Sequence, residues 1–305
     1  MNESASPGTL HVPVSFDFQQ DPSDLDFRLT VNCGQVFRWR ELDDGGLAGV
    51  DGDNWWHVSV SGENVRVSGN GTQDQFRKLF RMDQDWAAHR SAVIAKAPEL
   101  APMMGLLPGL RLMDSSDPVE VLFSFLCSSN NHLPRIKAMV ASMALLGAPL
   151  GVVQGELFHR FPNVERIAEL TESELREKGF GYRAATIPVA AKQIVEMGGS
   201  PWLKALKSVP YHRARSELLE LAGVGPKLAD CICLFGLGHT EAVPVDTHVW
   251  QVAARLWFPE FKNASLTTRR YAQIAEALQS RLGTLAGWAH QFLFYENLLN
   301  WRGRS

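Results

Sequence analysis

Residues 221–250 read LAGVGPKLADCICLFGLGHTEAVPVDTHVW. The run Leu218–Ala222 closes one helix, Gly223, Val224 and Gly225 turn the chain, and Pro226 suits the first position of the next helix. Glycines reach backbone angles that other residues resist, and they let peptide N–H groups come close to a ligand. With the positive end of the following helix, such N–H groups form an anion site suited to a phosphate. The stretch is not a P-loop, because the G-x-x-x-x-G-K spacing is missing and no strand precedes it. A helix, a Gly-x-Gly turn and a second helix make instead a helix-hairpin-helix pattern, which grips one DNA strand through its backbone. For Gly223 and Gly225 alone, the plainer reading is helix capping.

Two side chains raise the stakes. Lys227 stands at the mouth of a helix whose next turns are almost wholly apolar. It shares a face with Cys231 at i, i+4, while Leu228, Ile232 and Phe235 bury the helix around it. A lysine beside a core either snorkels to solvent or is kept there for chemistry. Partial desolvation lowers the cost of losing its proton, which a nucleophilic amine must do. Cys231 reads equally well as a small core residue. Asp246 follows Lys227 by nineteen positions and precedes the helical run THVWQVAARLW, where it makes a good N-cap. Capping and catalysis are compatible: a carboxylate holding helix N–H groups stays ionised and can stabilise a positively charged sugar as a base leaves.

The rest of the chain gives these residues a setting. Its 305 residues suffice for two domains, and 45% hydrophobic with 21% charged residues is ordinary globular composition. No apolar run reaches the roughly 20 residues of a membrane helix, and MNESASPGTLHVP lacks a basic-then-apolar signal. A cytosolic, nucleoid or nuclear protein with no membrane partner is expected. Cys33, Cys127, Cys231 and Cys233 are spaced for neither zinc nor an iron–sulfur cluster, so reduced thiols and no metal are expected. The net charge of −3 is unevenly spread: residues 1–117 hold 10 basic and 17 acidic residues, residues 118–305 hold 20 and 16. That asymmetry hints at an anionic partner for the second part.

From Phe27 to about Gly71, short alternating segments (VFRWREL, LAGV, WWHVSV, VRVSG) are split by DDGG, DGDN and SGEN, which predicts an antiparallel meander. QDQFRKLFRMDQDWAAHRSAVIAKAPEL then carries helical spacing. At Asp117-Pro118 the character changes: Asp117 can cap, Pro118 can start, and Glu120 sits where a capping box wants it. Thr171 and Glu174 make a second box, and the run of helices continues to the end without strand signals. The expected architecture is α+β, with an antiparallel sheet domain over 1–117 and an all-α domain over 118–305.

The 221–250 stretch resembles the helix-hairpin-helix/Gly-Pro-Asp signature of base-excision DNA glycosylases, in the form carried by the 8-oxoguanine DNA glycosylases. GQVFRWRE, DPVEVLFSFLCSSNNHLPRI, GFGYRA and AGWAHQFLF look like family segments in family order, from about Phe27 to Phe294. The resemblance implies a TATA-binding-protein-like sheet domain ahead of the helical glycosylase domain. It implies a monomer acting on duplex DNA with an extruded oxidised guanine, and no cofactor. Lys227 would attack the sugar C1′ and form a Schiff base, with Asp246 stabilising the developing charge. Gly34 would offer its carbonyl to the N7 hydrogen that 8-oxoguanine has and guanine lacks, while Phe294 and Cys231 would sandwich the base. Asn130, Arg135 and Arg183 would read the orphaned cytosine and Tyr182 would wedge into the duplex; for Asn130 the plainer reading is a helix C-cap, for the arginines a solvated helix face. Gly223, Gly225 and His248 would lie near phosphates, though His248 also reads as an ordinary first-turn histidine.

Two positions depart from the family pattern. His290 stands where a glutamine touches the base's pairing edge, and His132 where an asparagine follows SSNN. His290 is expected to make recognition more pH-dependent and broader in substrate. The leading function is thus a bifunctional glycosylase and AP lyase for 8-oxoguanine opposite cytosine. The alternatives are a monofunctional glycosylase for alkylated or other damaged bases, against which Lys227 argues, and a non-catalytic hairpin module, which leaves Lys227 and Asp246 unexplained.

Overall fold

The computed structural model describes residues 13–262 and 264–302; nearly all of the MNESASPGTLHVP stretch read above lies outside them. The chain opens with a five-stranded antiparallel sheet: β1 (Val14–Gln19), β2 (Arg40–Glu41), β3 (Leu47–Asp51), β4 (Asn54–Ser61) and β5 (Asn64–Gly69), in the spatial order β1-β5-β4-β3-β2. The DGDN and SGEN clusters turn the chain between β3, β4 and β5, as read.

The meander's beginning differs from the expectation. Phe27–Asn32 is a helix, capped by Asp26, whose carboxylate accepts the Leu29 N–H at 2.9 Å. Of VFRWREL only Arg40–Glu41 pairs, and β1 lies upstream of the expected start. Its sequence VSFDFQ alternates, so Phe16 and Phe18 reach a cluster of Phe27, Phe76, Phe80, Trp39 and Trp56. The Trp39 indole packs flat on Gly49, where a Cβ would fall 2.2 Å from the ring; only glycine fits there.

The helical part follows Asp117. The apolar helix Pro118–Leu126 runs through the centre of the core, and Asp117 caps it through the Val119 and Glu120 N–H groups. Glu120 completes no capping box: its carboxylate pairs with Arg38 at 3.1 Å across to the sheet side. Burial pushes the Glu120 carboxyl up to about 7 despite that arginine. The Thr171/Glu174 box forms as read.

A second correction lies at β6 (Pro149–Val153) and β7 (Glu156–His159), a hairpin inside the part expected to be all helix. Gln154 and Gly155 both take positive φ, 49° and 83°, which is the backbone of a tight type I′ turn. Val153 and Phe158 of this hairpin pack on Ala48, Val50 and Trp55 of the sheet. Helices over 86–96 and 101–106 likewise join the main helical core. The two parts therefore share extensive apolar contact.

Candidate active site

The hairpin forms where the sequence placed it: Tyr211–Leu219, a turn, then Pro226–Phe235. Gly223 has φ +78°, and a Cβ there would lie 3.3 Å from both Leu126 Cδ2 and Thr186 Cβ. Gly225 is extended at the N-cap and needs no special angle. Both glycines are exposed at the tip.

Beneath the second helix lies a residue the sequence reading missed. Asp230 is fully buried and accepts hydrogen bonds from Tyr211 at 2.6 Å, Arg215 at 2.7 Å and Tyr271. Burial raises its carboxyl, against the pull of Arg215 and the two hydroxyls. It locks the two hairpin helices and the Thr268–Leu282 helix together. A lone aspartate in the apolar run LADCICLF was the signal.

Lys227 is the second residue of its helix, half-buried, with Nζ 5.5 Å from the centroid of the Phe125 ring. Asp246 caps the Thr247–Leu256 helix by accepting the Val249 N–H at 2.9 Å. Both face one cleft of about 680 Å³, which Gly34, Cys231, His248, His290 and Phe294 also line. Its other walls are largely apolar, with Phe37, Phe125, Phe235 and Ile136 among them. This is the form of a ligand pocket with a few convergent polar groups.

Each wall is fixed locally. Gly34 takes φ +85°, and a Cβ on it would sit 3.1 Å from Phe294 Cε1. Cys231 is buried and its thiol is pushed up to about 12, mainly by burial, with Lys227 pulling the other way; it is a neutral packing surface. The His248 ring pairs through Nδ1 with Asn297 Oδ1 at 2.9 Å and stands edge-on to Phe294 at 5.5 Å.

His290 overturns one expectation. It is only 4% exposed, and burial drives its imidazole down to about 4, outweighing Asp246 and the Pro244 carbonyl, which favour the proton. The ring is therefore neutral at ordinary pH, and its titration does not make recognition pH-dependent near neutrality. Its Nδ1 has no hydrogen-bond partner among the described residues.

The remaining predicted residues gather just outside the cleft. Asn130 is exposed at φ +46°, three residues beyond Cys127, which is the true C-cap of the Pro118–Leu126 helix. Tyr182 OH donates to the Ser129 carbonyl at 2.9 Å, and the Arg183 guanidinium donates to that same oxygen. Arg183 also lies 4.5 Å from the Tyr182 ring centroid and is buried, so it is no solvated helix arginine. Arg135 is exposed and donates to the Gly179 carbonyl at 3.3 Å. Asn131 and His132 connect this cluster to the cleft, which both of them line. Gln291 lines it too and was not singled out by the sequence. Among the described residues, no cluster of His, Cys, Asp or Glu could hold a metal ion, and no helix is long and apolar enough to cross a membrane.

Comparison with known proteins places this arrangement. Residues 124–277 match the family described as HhH-GPD superfamily base excision DNA repair protein. The chain belongs to that superfamily. It is 35% identical to the N-glycosylase/DNA lyase OGG1 of Arabidopsis thaliana, over 94% of this chain and 81% of the relative. It is 32% identical to the N-glycosylase/DNA lyase of Saccharomyces cerevisiae, over 77% of this chain and 70% of the relative. The 8-oxoguanine glycosylase/lyase of Clostridium acetobutylicum, solved with duplex DNA containing cytosine opposite 8-oxoguanine, superposes with a TM-score of 0.81 at 28% identity, covering 91% of this chain and 93% of that one.

Proposed function

We propose that this chain is a bifunctional DNA glycosylase and AP lyase that removes 8-oxoguanine opposite cytosine from duplex DNA. The observation that carries this reading is the meeting of Lys227 and a capping Asp246 on one largely apolar cleft, beside an exposed helix-hairpin-helix tip. The relatives' activity supports it.

In this reading the hairpin tip, with Gly223 and Gly225, holds the damaged strand's phosphates and His248 lies near another. The oxidised guanine leaves the stack and enters the cleft between Cys231 and Phe294. The Gly34 carbonyl accepts its N7–H, and the neutral His290 ring meets its pairing edge. Asn130, Arg135 and Arg183 take the orphaned cytosine, and Tyr182 fills the gap in the duplex.

The Lys227 amine, having shed its proton, bonds to C1′ as the C1′–N9 bond breaks and the base leaves with that electron pair. Asp246, ionised at its helix N-terminus, stabilises the positive charge that builds on the sugar. Ring opening gives a protonated Schiff base. Loss of a C2′ proton then expels the 3′ phosphate, and water releases the lysine. No external oxidant, reductant or cofactor enters the balance.

Borohydride trapping on a duplex with one 8-oxoguanine opposite cytosine tests the assignment. A covalent adduct in the wild type and none in Lys227→Gln is the expected result. Excision without an adduct in either protein would turn the reading toward a monofunctional glycosylase.

A further inference from the structure

Gln291 has no role in the reaction as described so far. It stands next to His290 on the final helix, Ala286–Arg302, and is 1% exposed. Its Nε2 donates to the Cys33 carbonyl at 3.0 Å, a link across 258 positions of sequence. Its Oε1 is buried and has no hydrogen-bond partner among the described residues, although the side chain lines the cleft.

The amide orientation follows from chemistry. The Cys33 carbonyl can only accept, so the nitrogen must face it and the oxygen must face away. An acceptor left unpaired in a buried site is costly, unless a ligand's donor completes it. The group held on the other side is the peptide that leads into Gly34, whose φ of +85° sets the direction of the loop. From the sheet side, Gln35 pins the same loop: its amide donates to the Thr30 and Arg111 carbonyls at 2.9 and 2.8 Å and accepts the Met113 N–H at 2.8 Å. Gly34 is thus clamped between two glutamines, one from each part of the chain.

We propose that Gln291 is a base-recognition residue that works at both ends of one amide. The nitrogen positions the Cys33–Gly34 peptide, and the oxygen accepts an N–H from the extruded oxidised purine. This rests on the glycosylase reading above. It makes the final helix, and not the Gly34 loop alone, responsible for telling an N–H-bearing oxidised purine from other bases.

The test uses the full chain under single-turnover conditions, on one duplex carrying 8-oxoguanine opposite cytosine and on a second carrying a preformed abasic site. The abasic site has no base for Gln291 to meet. In Gln291→Met, which keeps the volume and loses both hydrogen bonds, the ratio of excision to abasic-strand cleavage should fall at least tenfold. In Gln291→Glu, excision relative to wild type at the same pH should rise as the solution is acidified, because the protonated carboxyl regains a donor and an acceptor. A parallel fall of both activities in Gln291→Met, an unchanged ratio, or a flat relative profile in Gln291→Glu overturns the proposal. A wild type that cleaves abasic strands but excises no 8-oxoguanine overturns the functional reading and this proposal with it. A wild type that excises normally beside an indifferent Gln291→Met overturns this proposal alone.

Discussion

The cleft and the cluster around Ser129 are neighbours built on opposite plans. In the cleft, His290 Nδ1 and Gln291 Oε1 are buried and have no hydrogen-bond partner among the described residues. Outside it, Tyr182 and Arg183 both donate to the Ser129 carbonyl and Arg135 donates to the Gly179 carbonyl. The first region is a finished mould whose vacant acceptors cost stability until a ligand meets them. The second directs its donors to main-chain oxygens, although Arg183 Nε is buried there without a partner among the described residues. Substitutions in the mould should therefore move catalysis more than stability, and those in the cluster should move both.

The largest effect is expected at Lys227. Lys227→Gln should abolish borohydride trapping and lower strand cleavage by roughly 10³-fold or more, with thermal unfolding nearly unchanged. Asp246→Asn comes next and sharpens the contrast, because asparagine caps a helix about as well as aspartate does. Excision should fall by about 10²–10³-fold while stability stays within about 0.5 kcal/mol. A large drop in stability with modest loss of excision would reduce Asp246 to a cap.

His290 tests the mould through pH. The folded imidazole is depressed to about 4, so between about pH 6.5 and 4 the unfolded chain binds a proton that the native one refuses. Its contribution is intact above pH 6.5 and is lost as pH falls through that window. Relative to His290→Gln, wild type should lose about 3 kcal/mol of unfolding free energy between pH 7 and 4. Parallel pH–stability curves for the two proteins would mean that water reaches the ring. Arg183→Ala should show the smallest effect, and the most mixed one. Loss of the buried guanidinium should cost about 1–3 kcal/mol, with roughly tenfold less discrimination between cytosine and other opposite bases. Unaltered discrimination would make Arg183 purely structural.

What the sequence revealed follows the range of the interactions involved. The hairpin, Lys227 and Asp246 were legible because turn chemistry, capping and helix spacing all act within a few residues. The β6–β7 hairpin was equally local, yet Gln154-Gly155 is a weaker turn signal than Asn-Gly, and the surrounding helices masked it. Asp230 showed only as a lone aspartate in an apolar run and Gln291 not at all, since their partners lie up to 41 and 258 positions away. His290 was visible as a residue but not as a neutral one, because its protonation is set by what buries it.

The bond from Gln291 to Cys33 joins pocket walls that lie 258 positions apart in the chain. A ribosome builds the sheet first, then the hairpin with its lysine, and only afterwards the helix that carries His290, Gln291 and Phe294. A chain released before that helix would lack one wall of the cleft and, with Trp288, Phe292 and Leu293, a side of the main core as well. A single late element thus completes the fold and the chamber together, and neither is finished until synthesis nearly is.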